Sequence, residues 1–299
     1  MVLHKVALSV YNRPWLIEPQ SAMNLMAMWE RIMSNETTFR AEMENEDGTY
    51  QKIQQLFANS EIAFAPDNYF DAKNFSGFEG ASVAVIPVMG PLMKNDFCGW
   101  FGTATLQNMV RLAENTPSVK VIATWVDSPG GTVDGTESFA NTIRSTKKHT
   151  MTIADGYMCS AAYWIGSSSK EVVSANKTDI IGSIGTMMSW RDWTEADKQR
   201  GVVHREYYAT DSTDKNRMFR EANAGDGRAL VQEMLDPMND VFTGSVKANR
   251  KGKIDLAKEN VLTGKTYLAG AAKEAGLVDQ IMPLDKALNK ALSMAKTIK

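Results

Sequence analysis

The chain has 299 residues, 43% of them hydrophobic and 23% charged, which suits one large soluble domain or two smaller ones. Its 33 basic and 35 acidic residues leave a net charge of −2, so no whole-chain electrostatic case exists for nucleic acid or an anionic membrane. Two cysteines, Cys98 and Cys159, cannot build a disulfide framework, and no apolar run is long enough to span a bilayer. The short apolar start is cut by Asn12-Arg13-Pro14 before a signal-peptide core forms, so a cytoplasmic protein without a stable membrane anchor is expected.

Residues 1–65 read as a helical N-terminal extension. Met23, Met26, Ala27 and Met33 recur at roughly helical spacing, and Ile53 and Phe57 lie one turn apart in a second helical piece. Residues 66–80 are rich in Pro, Asn, Asp and Gly and read as a linker. From residue 81 strands and helices alternate. Strands are predicted over 82–88, 119–126, 150–154 and 170–174, with helices over 103–113 and 136–147 and another starting at Ser160. Further helices are predicted over 193–199, over 228–247 and from 285, and a strand over 202–208. This alternation argues for an α/β fold, a mostly parallel sheet covered by helices, over 81–285. Residues 286–299 carry four lysines and no acid, with Leu288, Ala291, Leu292 and Ala295 at helical spacing. A basic amphipathic C-terminal helix is expected, packed on the core rather than on an acidic partner.

Chemistry could sit at three places. Ser128-Pro129-Gly130-Gly131 follows a strand and precedes a helix, and the N–H groups of such a turn can converge on an oxyanion. A plain tight turn is the alternative; a phosphate cradle is disfavoured because no Gly-Lys-Ser/Thr follows these glycines. Ser160 stands between a strand and a helix, where serine serves as an N-cap or as a nucleophile with the Ala161 N–H beside it. Cys159 reads as a small buried residue. Gly182-Ser183-Ile184-Gly185 is either a bent buried strand or the seat of a serine that orients a catalytic amine. A serine nucleophile needs a base, and the three histidines, His4, His149 and His204, lie in no recognisable catalytic setting. Lysine can replace histidine when burial keeps it neutral.

Taken in order, these three motifs resemble those of the signal-peptide-peptidase-A-like (S49-type) serine peptidases, relatives of the Clp protease subunit within the crotonase-like fold. The narrower likeness is to the capsid assembly (head maturation) proteases of tailed phages. It rests on Pro14-Trp15-Leu16-Ile17-Glu18-Pro19, on the segment from Ala84 to Leu92, and on Ala275-Gly276-Leu277-Val278-Asp279. The resemblance implies a Ser-Lys dyad with Ser160 as nucleophile and Ser183 orienting the base. It implies Gly131 and Ala161 as oxyanion donors, with substrate adding as a strand near Gly130 and Thr132. Lys215 is the best match for the base, although no glycine precedes it and Asn216-Arg217-Met218-Phe219 departs from the family pattern; Lys198 is the fallback. No metal or cofactor is called for. A homo-oligomer, a polypeptide substrate such as a scaffold or capsid protein, and the host cytoplasm or procapsid as its place are implied. A bacterial peptidase that degrades leader remnants and an inactive ring-forming subunit are the alternatives.

Overall fold

The computed structural model describes residues 15–17, 49–67, 75–97, 99–189, 192, 194–203 and 205–298. The Met-rich stretch expected to be helical, His4, His204 and Cys98 lie outside the described residues. The strands are β1 (Trp15–Ile17), β2 (Ile62–Phe64), β3 (Val83–Met89), β4 (Val121–Ser128), β5 (Gly130–Thr132), β6 (His149–Cys159), β7 (Glu171–Ser174), β8 (Ile180–Gly182), β9 (Thr266–Leu268) and β10 (Gln280–Ile281). The main sheet runs β10-β7-β6-β4-β3-β2, with β8 also paired to β6, and every one of these pairings is parallel. The exception is β9, antiparallel to β8.

The sequence explains this sheet. In β3 successive residues are apolar rather than alternating, as parallel strands covered on both faces require. Val83 and Val85 turn to one hydrophobic cluster, and Ala84, Ile86 and Val88 to the other. On the first side, helices α1 (Thr49–Leu56) and α10 (Leu284–Thr297) supply Tyr50, Ala287, Leu288, Ala291 and Ala295. On the other side lie α2 (Thr103–Asn115), α3 (Thr136–Ser145) and α4 (Ala161–Ser167), contributing Leu106, Val110, Phe139, Ile143, Ala161 and Ala162. The remaining helices are α5 (Thr194–Gln199), α6 (Arg217–Asn223), α7 (Arg228–Leu230), continued by a π-helical turn into α8 (Asp236–Asn249), and α9 (Ala269–Glu274). Among the described residues no helix is long and apolar enough to cross a membrane.

The structure departs from the sequence reading in three places. Residues 62–64, assigned to the helical extension, form β2 and pair in parallel with β3, so part of that extension belongs to the main sheet. The linker assignment covers Phe78, which is fully buried against Phe75 in an edge-on ring pair 5.0 Å between centroids. The strand expected over 202–208 does not form among the described residues. Its apolar side chains find no partner strand: Val203 is 70% exposed and Tyr207 87%. The C-terminal helix packs on the core, as its apolar spacing predicts.

Candidate active site

Strand β6 is long enough to serve two neighbours in turn. Met151 to Ala154 pair with β7, and Tyr157 to Cys159 pair with β8. Between these halves the register with β4 shifts, from Val126 opposite Ala154 to Ser128 opposite Met158. Gly156 makes the shift possible: its φ is +119°, and a Cβ there would lie 2.5 Å from Asp127 Oδ1. The side chains fasten the irregularity. The Tyr157 N–H donates to Asp127 Oδ1 at 2.9 Å and the Gly156 N–H to Asp179 Oδ1 at 3.0 Å. Desolvation pushes the Asp127 carboxyl above the usual carboxylate range against that Tyr157 hydrogen bond, with Asp155 and Asp179 adding to the rise.

The strand then ends at Ser160 in an uncommon conformation. Its φ is +53° and ψ −117°, outside the ordinary regions for a residue with a side chain. The backbone is held there from both sides: the Ser160 N–H donates to Gly182 O at 2.7 Å, and Ser160 O accepts from the Trp164 N–H at 2.9 Å. The hydroxyl makes no cap hydrogen bond to α4, so the N-cap role that its position suggests is not the one it plays. Ser160 is fully buried, and its Oγ finds no hydrogen-bond partner among the described residues. A strained residue and an unsatisfied buried hydroxyl each cost stability and point to a functional position.

Ser183 is brought beside it. The register sets Cys159 opposite Gly182, so Ser160 and Ser183 are the next residues of two neighbouring strands. Both turn to positive φ, +53° and +51°; Asn216 is the only other such non-glycine residue among those described. The Ser183 N–H donates to Lys265 O at 2.8 Å, which anchors it to the β9 side. Cys159 is buried with its Sγ 3.4 Å from Ile180 O, a packing role as expected.

The glycine turn lies on the third side, with α4 packed against β5. Gly131 is opposite Leu92, whose N–H donates to Gly130 O and whose carbonyl accepts from the Thr132 N–H, both at 2.8 Å. Because N–H direction alternates along a strand, the Gly131 N–H turns to the opposite edge. A Cβ at Gly131 would sit 1.7 Å from Leu92 O, so only glycine allows this approach. The neighbouring Gly130 has φ +103°, and Thr132 is buried.

The lysines are placed elsewhere. Lys215 is exposed in a turn before α6, its carbonyl taking a hydrogen bond from the Arg220 guanidinium. Lys198 is a solvated residue of α5, 3.8 Å from Glu195. His149 opens β6 while Ser160 follows its other end, on the order of 30 Å away at the rise of an extended strand. Burial lowers the His149 pKa, with Lys170 acting in the same direction.

Two family models match the chain. The model described as peptidase family S49 matches residues 142–298, and that described as Clp protease matches 101–181. A Methanocaldococcus jannaschii protein carrying a provisional protease name is 28% identical over 190 residues, 63% of this chain and 60% of that one. Protease 4 of Salmonella typhi is 28% identical over 221 residues, 73% of this chain and 35% of that one. The chain thus spans about 60% and about a third of these two relatives. A ClpP1 variant of Listeria monocytogenes superposes with a TM-score of 0.43 at 12% identity, over 68% of this chain and 94% of that one. The α/β fold is of the Clp protease class.

Proposed function

We propose that this chain, which belongs to peptidase family S49, is a serine endopeptidase with a Ser-Lys dyad acting on scaffold or capsid proteins during phage head maturation. The observation that carries the chemistry is Ser160: a buried hydroxyl without a partner among the described residues, on a strained strand-to-helix turn. A hydroxyl there is free to attack, and the Ala161 N–H behind it starts α4. The Gly131 and Ala161 N–H groups are the proposed oxyanion donors, and Ser183 the residue that orients the base. Lys215 is the proposed base: neutral, it takes the Ser160 proton as the peptide carbonyl is attacked and then protonates the leaving amine, after which water hydrolyses the acyl-enzyme. Gly130 and Thr132 flank the donor strand where substrate backbone would pair.

A lysine base must be withdrawn from water, and Lys215 of a single copy is exposed. The reading therefore includes a homo-oligomer in which a second copy covers Lys215. The head-maturation role rests on the resemblance of segments 14–19, 84–92 and 275–279 to the phage enzymes. Hydrolysis of a scaffold protein tests it; hydrolysis of leader peptides alone would favour leader degradation instead, and no hydrolysis with an intact ring an inactive subunit. Lys215→Ala is expected to lower peptide turnover by about 10³-fold with the oligomer retained on size-exclusion chromatography. Undiminished turnover in that variant would move the base to another lysine, Lys198 first.

A further inference from the structure

Strand β5 has two edges, and both are occupied. Leu92 takes one; β1 takes the other, antiparallel, with Trp15 opposite Thr132, Leu16 opposite Gly131 and Ile17 opposite Gly130. The Leu92 edge uses Gly130 O and the Thr132 N–H, so the main-chain groups of Gly131 itself face β1. The residue that meets them is Leu16, where the proposed mechanism needs the scissile carbonyl. An incoming peptide has no edge of β5 to join while β1 is in place. In the same structure Ser160 is fully buried, out of reach of a polypeptide.

We infer that Trp15-Leu16-Ile17 is a built-in pseudosubstrate strap: it occupies the substrate edge of β5 through its backbone and holds the site closed until a peptide displaces it. This rests on the peptidase reading of Ser160 given above. Three residues form a short strand, so the closure is weak enough for substrate to compete with, and apparent affinity falls by the fraction of molecules in which the edge is taken. The segment also states what the edge accepts: an extended, apolar stretch of main chain, with side chains alternating to either side.

The test uses two proline variants of the full chain. Proline at 16 removes an N–H that faces Gly131, whereas proline at 17 removes one that faces away. Two measurements are made on each: hydrogen exchange of the Gly131 amide, and the rate of Ser160 labelling by a fluorophosphonate. In Leu16→Pro, protection of Gly131 is expected to fall and labelling to accelerate by about tenfold, the scale of a lost main-chain pair. Ile17→Pro is expected to resemble the unaltered chain in both. A synthetic peptide spanning residues 13–19 is expected to slow labelling of Leu16→Pro again. Unchanged Gly131 exchange in Leu16→Pro would overturn the pairing. Lost protection with an unchanged labelling rate would overturn the closure while leaving the nucleophile standing. Absence of labelling in every form would instead remove the nucleophile, and the closure with it.

Discussion

Ser160→Ala is expected to lose fluorophosphonate labelling and at least about 10⁴-fold of peptide turnover, and yet to melt no lower than the unaltered protein. The two halves of this result come from one geometry. A nucleophile is irreplaceable in the reaction, so its removal leaves only binding and oxyanion stabilisation. As a structural group, however, the Ser160 hydroxyl is a burden: it is buried and no described residue bonds it. A buried unsatisfied hydroxyl costs about 1–3 kcal/mol, which alanine recovers. If Ser160 were a helix cap, the same substitution would cost about 1 kcal/mol and the melting temperature would fall. The sign of the melting shift therefore separates the two roles that position 160 suggests. Ser160→Gly extends the comparison. It also lifts the strain of φ +53° and ψ −117°, of order 1–3 kcal/mol for a residue with a Cβ, against about 0.5–1 kcal/mol of added backbone entropy. Glycine is expected to match or exceed alanine in melting temperature and to be equally inactive. A melting temperature several degrees below the unaltered protein for both would return Ser160 to an ordinary structural role.

The strands of the core were readable because residues buried on both faces must be apolar almost without a gap, as in 83–86 and 121–123. The helices α2, α3 and α10 were readable from their apolar spacing. Pairing was not readable. Ile62-Ala63-Phe64 carries too little pattern to announce a strand, and its place comes from β3, some twenty residues on. Val202, Val203, Tyr207 and Tyr208 have strand-forming side chains, but no strand among the described residues receives them, so propensity alone misled. At the proposed site, type and order single out the serines and glycines as candidates. What brings Ser160 and Ser183 together is the Cys159–Gly182 register, and what distinguishes Ser160 from a cap is a dihedral pair and a missing hydrogen bond. Neither leaves a trace in residue identity. Lys215 shows the converse: a motif match locates it, and the structure of one copy leaves it in solvent.

The closing motif Ala275-Gly276-Leu277-Val278-Asp279 has a structural meaning that its resemblance did not supply, and it leads to the largest expected loss of stability. Arg250, at the end of α8, is 1% exposed in its side chain. Its guanidinium donates to Gly276 O at 2.7 and 2.9 Å and to the two Asp279 oxygens at 2.9 and 3.0 Å. Asp279 Oδ2 also accepts the Val172 N–H at 2.8 Å, which ties the motif to β7, and Lys253 approaches Oδ1 at 2.7 Å. Gly276, at φ +79°, is required for this wrap, since a Cβ there would fall 1.8 Å from Lys253 O. Burial pushes the Asp279 carboxyl up, but the hydrogen bonds from Arg250, Lys253 and Val172 outweigh it and hold the pKa down at about 2. Asp279→Asn is expected to cost about 3–5 kcal/mol, because it leaves a buried guanidinium without its counter-charge. Urea denaturation should show a lower midpoint at an unchanged slope. The pH dependence supplies a second reading. A depressed carboxylate contributes stability that is complete above its unfolded pKa, near 3.8, and lost as pH falls through about 2. Between pH 4 and 2 the unaltered protein should therefore lose about 2 kcal/mol that Asp279→Asn no longer has to lose. Arg250→Met combined with Asp279→Leu, which removes both charges and keeps the volume, should recover part of the single variant's loss. An Asp279→Asn protein as stable as the parent at pH 7 would show that the pair, though buried, does not hold β7 to the C-terminal motif.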